Sequence, residues 1–359
     1  MRDPRDEQYA RILVETCVDV QPGSQVLVLG GPLARPLVAE VARAIARRGA
    51  YILPRPFFPL GPIPSEWINE ASDELLQKMA PIEEYAGLNA DAFIAIVAPE
   101  NTREASAVDP ARLQMIQQSG LPVMQRMLSG SMPWVGCHYP TPALAQDAGM
   151  SFDAYSEFLY GSVLIDWDAE HERMSRIKEV FDAADEVRIV AAGTDLRIGL
   201  KGREGIVDAG GANMPGGEVF YSPVEDSAEG TIEFSEFPGV YAGREVDGIK
   251  LTFSGGRIVD ANSRTNEDFL VSTLDTDEGA RRLGELGIGS NPGITRYMKN
   301  VAFDEKIDGT IHLAVGKGFP QIGGVNESVV HWDIVKDLRD GGRLEADGRL
   351  VQESGKWLI

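Results

Sequence analysis

Between residues 26 and 125, short uninterrupted apolar runs alternate with segments whose apolar residues recur every three or four positions. Val26-Leu-Val-Leu29 reads as a strand, Arg35 to Arg48 as a helix and Ala50 to Leu53 as the next strand. The helix carries Leu37, Val38, Val41, Ala42 and Ile45 along one side, and Gly49 ends it. A second cycle runs through a helix near Glu66–Met79 into strand Ala92–Val97, and a third through helix Pro110–Ser119 into strand Pro122–Gln125. Strands that are apolar throughout must be covered on both faces, and intervening helices make them run parallel. The first half is therefore predicted to be an α/β domain on a parallel sheet. Gly30-Gly31-Pro32 lacks the G-x-G-x-x-G spacing and reads as a strand-to-helix turn, not a dinucleotide loop.

A helical stretch over Asp168–Ala184, with Met174, Ile177, Val180 and Phe181 as its apolar stripe, links the halves. From Glu186 the texture changes to short strands and glycine-rich turns: Val187–Ala191, Leu196–Leu200, Gly230–Phe234, Ile249–Phe253 and Arg257–Asn262, with one helix over Asp275 to Leu286. This pattern predicts a β-rich α+β domain at 186–359, following an N-terminal α/β domain with its linker helix at 1–185.

With 359 residues the chain is long enough for two cores, since single cores stop growing near ~250–300 residues. A net charge of −21 argues against nucleic-acid or anionic-membrane partners. No apolar run reaches the ~20 residues that span a bilayer. The start, Met1-Arg-Asp-Pro-Arg-Asp-Glu7, lacks the apolar core of a signal peptide. Two cysteines, Cys17 and Cys137, form neither a disulfide framework nor a Cys-x-x-Cys motif, so the expected location is cytoplasmic.

The chemistry concentrates near the C-terminus. The chain has four histidines, and two lie in strand-like runs: Gly309-Thr-Ile-His312-Leu-Ala-Val-Gly316 and Val329-Val-His331-Trp-Asp333-Ile334. In a strand, residues i and i+2 share a face, so His331 and Asp333 project together as a ligand pair for a divalent ion such as zinc, cobalt or manganese. Glu218, in Asn213-Met-Pro-Gly-Gly-Glu-Val-Phe, and Glu285, where the expected helix end meets Gly-Glu-Leu-Gly-Ile-Gly, sit in glycine-lined settings. Glu305 is a candidate second-layer or proton-carrying carboxylate, with a surface acid as the competing reading. His138, in a Pro-rich loop, and His171, on the linker helix, read as structural or exposed. Gly-x-Ser-x-Gly, Walker A and His-Glu-x-x-His motifs are absent.

Five blocks in order, Asn-Met-Pro-Gly-Gly-Glu218-Val-Phe, Gly284-Glu285-Leu-Gly-Ile-Gly, Phe303-Asp-Glu305, Gly-Thr-Ile-His312-Leu-Ala-Val-Gly and His331-Trp-Asp333, resemble the aminopeptidase T family of metalloaminopeptidases, which includes the AmpS and PepS enzymes. The resemblance implies a metal-dependent aminopeptidase acting on peptides or aminoacyl substrates, and a homodimer. It also implies a C-terminal catalytic domain with two divalent metal ions held by Glu218, Glu285, His312, His331 and Asp333; Glu285 and Glu305 are the candidate catalytic carboxylates. One position departs: Phe319 stands where better-known members carry an active-site tyrosine, and Tyr221 or Tyr297 are the candidates to replace its hydroxyl. Two alternatives accompany this reading. The related dihydroxypyridine-type ring-cleaving dioxygenases bind one iron and are expected to have a histidine in place of Glu285. The other alternative is a non-catalytic metal-binding relative.

Overall fold

The protein is described from a computed structural model covering residues 3–58 and 61–359. Met1 and Arg2, the first residues of the charged N-terminal stretch, lie outside the described residues. The chain groups into two compact units, Met1–Ile165 with Gly210–Gly216, and Asp166–Ala209 with Gly217–Ile359.

In the first unit, the apolar runs become β1 (Gln25–Gly30), β2 (Tyr51–Pro56), β3 (Ala92–Val97) and β4 (Trp134–His138). With the short strand Asn213–Met214 they form a five-stranded sheet in the order β2, β1, β3, β4, Asn213–Met214, parallel throughout. Helix Arg35–Arg47 buries Leu37, Val41 and Ile45 of the expected stripe together with Ala44 and Glu40, while Val38 and Ala42 are half-buried. Gly30 to Pro32 form the strand-to-helix turn.

Some expected elements differ. Pro122–Gln125 is not a strand but part of helix Leu121–Leu128, where Pro122 sits in the first turn and its missing N–H leaves no bond unmade. The strand beside β3 is β4 instead, so His138 ends a strand and does not lie in a loop. The helix expected near Glu66–Met79 is two short helices, Ser65–Glu70 and Asp73–Leu76, separated at extended Ala71 and Ser72.

The second unit opens with helix Trp167–Asp182, capped by the Asp166 side chain accepting from the Ala169 N–H, with Met174, Ile177 and Phe181 fully buried. The division expected near residue 185 assigns this helix to the first half, but its contacts belong to the second. The Tyr221 hydroxyl, for example, donates to the Lys178 carbonyl at 3.1 Å.

Two sheets dominate this unit. One has eight antiparallel strands, running from Arg257–Asn262 through Glu229–Phe234 and Glu186–Ala191 to Lys356–Trp357. The other has five antiparallel strands, which we label β5 (Ile206–Asp208), β6 (Glu218–Tyr221), β7 (Leu283–Gly289), β8 (Thr310–Gly316) and β9 (His331–Asp337). Their spatial order is β9, β8, β7, β6, β5.

The helix expected over Asp275 to Leu286 is corrected by β7. The helix spans Glu267–Leu274, and Glu285 lies inside a fully buried strand. Gly284, Gly287 and Gly289 weaken a helix there, and β6 and β8 supply ladder partners on both sides. Among the described residues, no helix is long and apolar enough to cross a membrane.

Candidate metal centre

The five-stranded sheet has two unlike faces. Val219, Tyr221, Leu286, Ile288, Ile311, Leu313, Val315, Trp332 and Ile334 enter the unit's main apolar core. The alternate positions carry polar donors. The ladder pairs Gly289 with Glu218, Gly287 with both Phe220 and His312, Ala314 with Glu285 and Asp333, and Gly316 with His331. Glu218, Glu285, His312, His331 and Asp333 therefore share one face, interleaved with Gly287, Gly289, Ala314 and Gly316. The small residues leave space above the sheet, and the large donors border it. The turn that delivers Glu218 needs glycine at Gly217, whose φ is +115° and whose missing Cβ would strike the Asn291 backbone.

The structure brings all five sequence candidates together. His312 Nε2 lies 3.3 Å from Glu285 Oε1 and 3.5 Å from Glu218 Oε2. His331 Nε2 lies 3.2 Å from Glu285 Oε2 and 3.6 Å from Asp333 Oδ2. Each imidazole is oriented through its other nitrogen: Nδ1 of His312 is 3.0 Å from the Glu305 carbonyl, and Nδ1 of His331 is 2.9 Å from that of Lys317. An Nδ1–H donated to a carbonyl leaves Nε2 aimed at the carboxylates, the usual way a metal-binding histidine is held.

The donors fall into two triads, each with ligand atoms within 4.8 Å of one another: Glu218, Glu305 and His312, and Glu285, His331 and Asp333. Glu305 is thus not a surface acid. Its side chain is 15% exposed, and its carboxylate pairs with Lys306 beside Glu218. The donor set suits a divalent cation chemically. Glu218 Oε2 and Asp333 Oδ1 are buried without a hydrogen-bond partner, and unbonded carboxylate oxygens are costly to bury unless a cation meets them.

The electrostatics describe a strained cluster of like and opposite charges. Burial works against the charged form of Glu285, yet its hydrogen bonds to His312 and His331 hold its pKa down to about 2. Burial also opposes charge on the histidines, but Glu285 outweighs it and raises His312 to about 10 and His331 to about 9. Burial pushes Glu218 up to about 8 despite Lys306, and pushes Asp333 up to about 6 with help from the Glu285 charge. Two carboxylates are thus held toward protonation and two imidazoles toward charge, an arrangement that divalent cations would reverse.

Phe319, the departing position, sits at the edge of this centre. Its ring centroid is 5.2 Å from that of His331 and 5.5 Å from that of Phe220. Neither candidate tyrosine replaces its hydroxyl. The Tyr221 hydroxyl bonds to Lys178 and Asp182, and the Tyr297 hydroxyl bonds to the Pro238 carbonyl. His171 is exposed and His138 lies in the first unit. The sequence did not mark Lys306, a fully buried lysine whose Nζ is 3.1 Å from Glu218 Oε1. No periodicity separates it from other surface-type charges, and only its position next to Glu305 hinted at a role.

Residues 2–357 match the sequence pattern of the thermophilic metalloprotease family, M29. The chain belongs to the M29 family. This M29 protein is accordingly a metallopeptidase, a hydrolase that uses divalent metal. It is 29% identical to Aminopeptidase 2 of Geobacillus stearothermophilus, over 98% of this chain and 97% of that one. It is also 33% identical to Aminopeptidase T of Thermus aquaticus, over 54% of each chain. The fold of this M29 chain matches that of wild-type AmpT from Thermus thermophilus with a TM-score of 0.82 at 22% identity, covering 99% of both chains. A more distant match in fold, with a TM-score of 0.64 at 15% identity, is 2,5-dihydroxypyridine dioxygenase from Pseudomonas putida, over 99% of this chain and 97% of that one.

Proposed function

We propose that this chain is a metal-dependent aminopeptidase that removes N-terminal residues from peptides, with Glu218, Glu285, His312, His331 and Asp333 holding two divalent ions. The observation that carries the reading is the pair of adjacent donor triads, drawn from one sheet face and, for Glu305, from the turn ahead of β8. Family membership and the aminopeptidase names of its relatives agree with it. Bound divalent ions would supply Lewis-acid chemistry, lowering the pKa of water and polarising a scissile carbonyl.

The chain's own groups do the rest. Glu285 lies between the imidazoles and fixes both by hydrogen bonds. Glu305, only partly exposed, carries the proton: its carboxylate accepts it from the attacking water and returns it to the leaving amine nitrogen. Phe220 and Phe319 give the His331 side an apolar wall that excludes water and receives a substrate side chain. Zinc, cobalt and manganese all suit a donor set of carboxylates and imidazoles. A homodimer in the cytoplasm completes the reading, and the absence of a disulfide between Cys17 and Cys137 agrees with a reducing compartment.

The ring-cleaving alternative has no support in the donor set, because a carboxylate, Glu285, occupies the middle of the centre where that chemistry calls for a histidine. The test is exhaustive chelation followed by assay on a panel of aminoacyl nitroanilides and short peptides. Hydrolysis should vanish and return with zinc, cobalt or manganese. Unchanged turnover after chelation removes the metallopeptidase mechanism, and a sedimentation mass of 39.0 kDa at micromolar concentration removes the dimer.

A further inference from the structure

We propose that Lys306 is a built-in cation of the centre that ranks its two subsites. The Glu285–His331–Asp333 side takes its divalent ion first, and the Glu218–His312 side takes one only in competition with the lysine. The inference rests on the metal-centre reading above.

Lys306 is 0% exposed, and its Nζ is 3.1 Å from Glu218 Oε1 and also paired with Glu305. Its backbone is pinned, with the N–H donating to the Phe303 carbonyl at 3.0 Å and the carbonyl accepting from the Asn291 N–H at 2.9 Å. The turn before β8 thus fixes the point from which the buried side chain reaches the two carboxylates. A lysine carries three donors and a compact charge, and it remains buried only where anions surround it. Glu218 and Glu305 meet that need, with buried Asp208 opposite Glu218 in the β5–β6 ladder.

The same two carboxylates are ligand-type groups of one triad. An ion entering there must share these two carboxylates with Lys306. It must also rest a few ångströms from a fixed positive charge in a site where screening is weak. Glu218 offers one unbonded oxygen, Oε2, while Oε1 stays with the lysine. The other triad carries no such competitor. Among the described residues, Glu285 and Asp333 have only histidines as ion-pair partners. Two subsites with similar donors are thus made unequal by one side chain.

Equilibrium titration with zinc alone, by calorimetry and by competition with a chromophoric chelator, tests this on the full chain. The wild type should bind two ions with dissociation constants at least about tenfold apart, the range in which groups around a metal's ligands alter affinity. Asp333→Asn should weaken the tighter ion and Glu218→Gln the looser one. Lys306→Met should tighten the looser ion by about tenfold or more and leave the tighter one unchanged, while Lys306→Arg keeps the wild-type gap. Should Lys306→Met lose its circular-dichroism signature, Lys306→Gln, which keeps a polar head without the charge, carries the same comparison. Two equal wild-type sites, or an unchanged gap in the neutral variant, overturn the proposal and leave the metal centre standing. Absence of zinc binding in the wild type overturns the metal-centre reading and this inference with it.

Discussion

Gly287 and His312 face each other across the β7–β8 ladder, and the imidazole lies over the glycine in the space a side chain would fill. A methyl group there overlaps the ring at Cε1 and Nε2, the edge aimed at Glu285. Gly287→Ala should therefore push His312 off its carboxylates. The expected result is a loss of metal affinity of at least ~10–100-fold and a destabilisation of about 1–3 kcal/mol from overpacking. Wild-type zinc binding in this variant, measured by calorimetry, contradicts the described packing.

His331→Ala should abolish hydrolysis while sparing the fold. Val330 and Trp332, the neighbours that pack into the core, are untouched, and the His331 side chain is 30% exposed. The metal-free melting curve should shift by no more than about 1–2 kcal/mol in stability. Retained turnover on an aminoacyl substrate excludes His331 as a ligand.

Stability and metal affinity should respond to pH in opposite directions. His312 and His331, raised to about 10 and about 9, stabilise the metal-free fold fully below about pH 6.5. That contribution is lost as pH climbs through the raised values. Glu218 and Asp304, pushed up by burial to about 8 and about 7, act in the same sense, because each must charge in a buried site as pH rises. Glu285, held down to about 2, contributes equally throughout this window. Metal binding needs neutral imidazoles and expels their protons, so affinity grows over the same range. The Tm gap between zinc-loaded and chelated protein should widen from about pH 6.5 to about pH 9. A gap that narrows contradicts the charge states assigned to the two histidines.

Phe319→Tyr places a hydroxyl on a ring that already stands edge-on to His331. A donor near a developing oxyanion acts on the transition state more than on the ground state. The substitution should raise kcat by about tenfold with KM little changed, a modest share of what a well-placed donor supplies. Steady-state kinetics with no gain in kcat would show that the ring serves only as an apolar wall.

Local pattern made part of this protein legible from sequence. The stripe of helix Arg35–Arg47 and the shared face of His331 and Asp333 follow from periods that neighbours in sequence determine. Sequence alone does not reveal the strand around Glu285, because Leu283–Gly289 is rich in glycine and carries no clear period. Its strand character comes from β6 and β8, which lie far away in the chain. Pro122 hides its helix for the opposite reason, since a residue that breaks helices inside them is welcome in their first turn. The move of Gly210–Gly216 into the first unit and the burial of Lys306 are likewise products of distant pairing.

The donors of the centre arrive on four different strands, β6, β7, β8 and β9, with Glu305 from the turn ahead of β8. No two neighbouring strands carry a complete set, so a chain still emerging from its synthesis, or one that has lost a single strand to damage, has ligands but no centre. On the proposed function, peptidase activity would belong to the completely paired sheet alone, and a chain missing any one of these four strands would lack it.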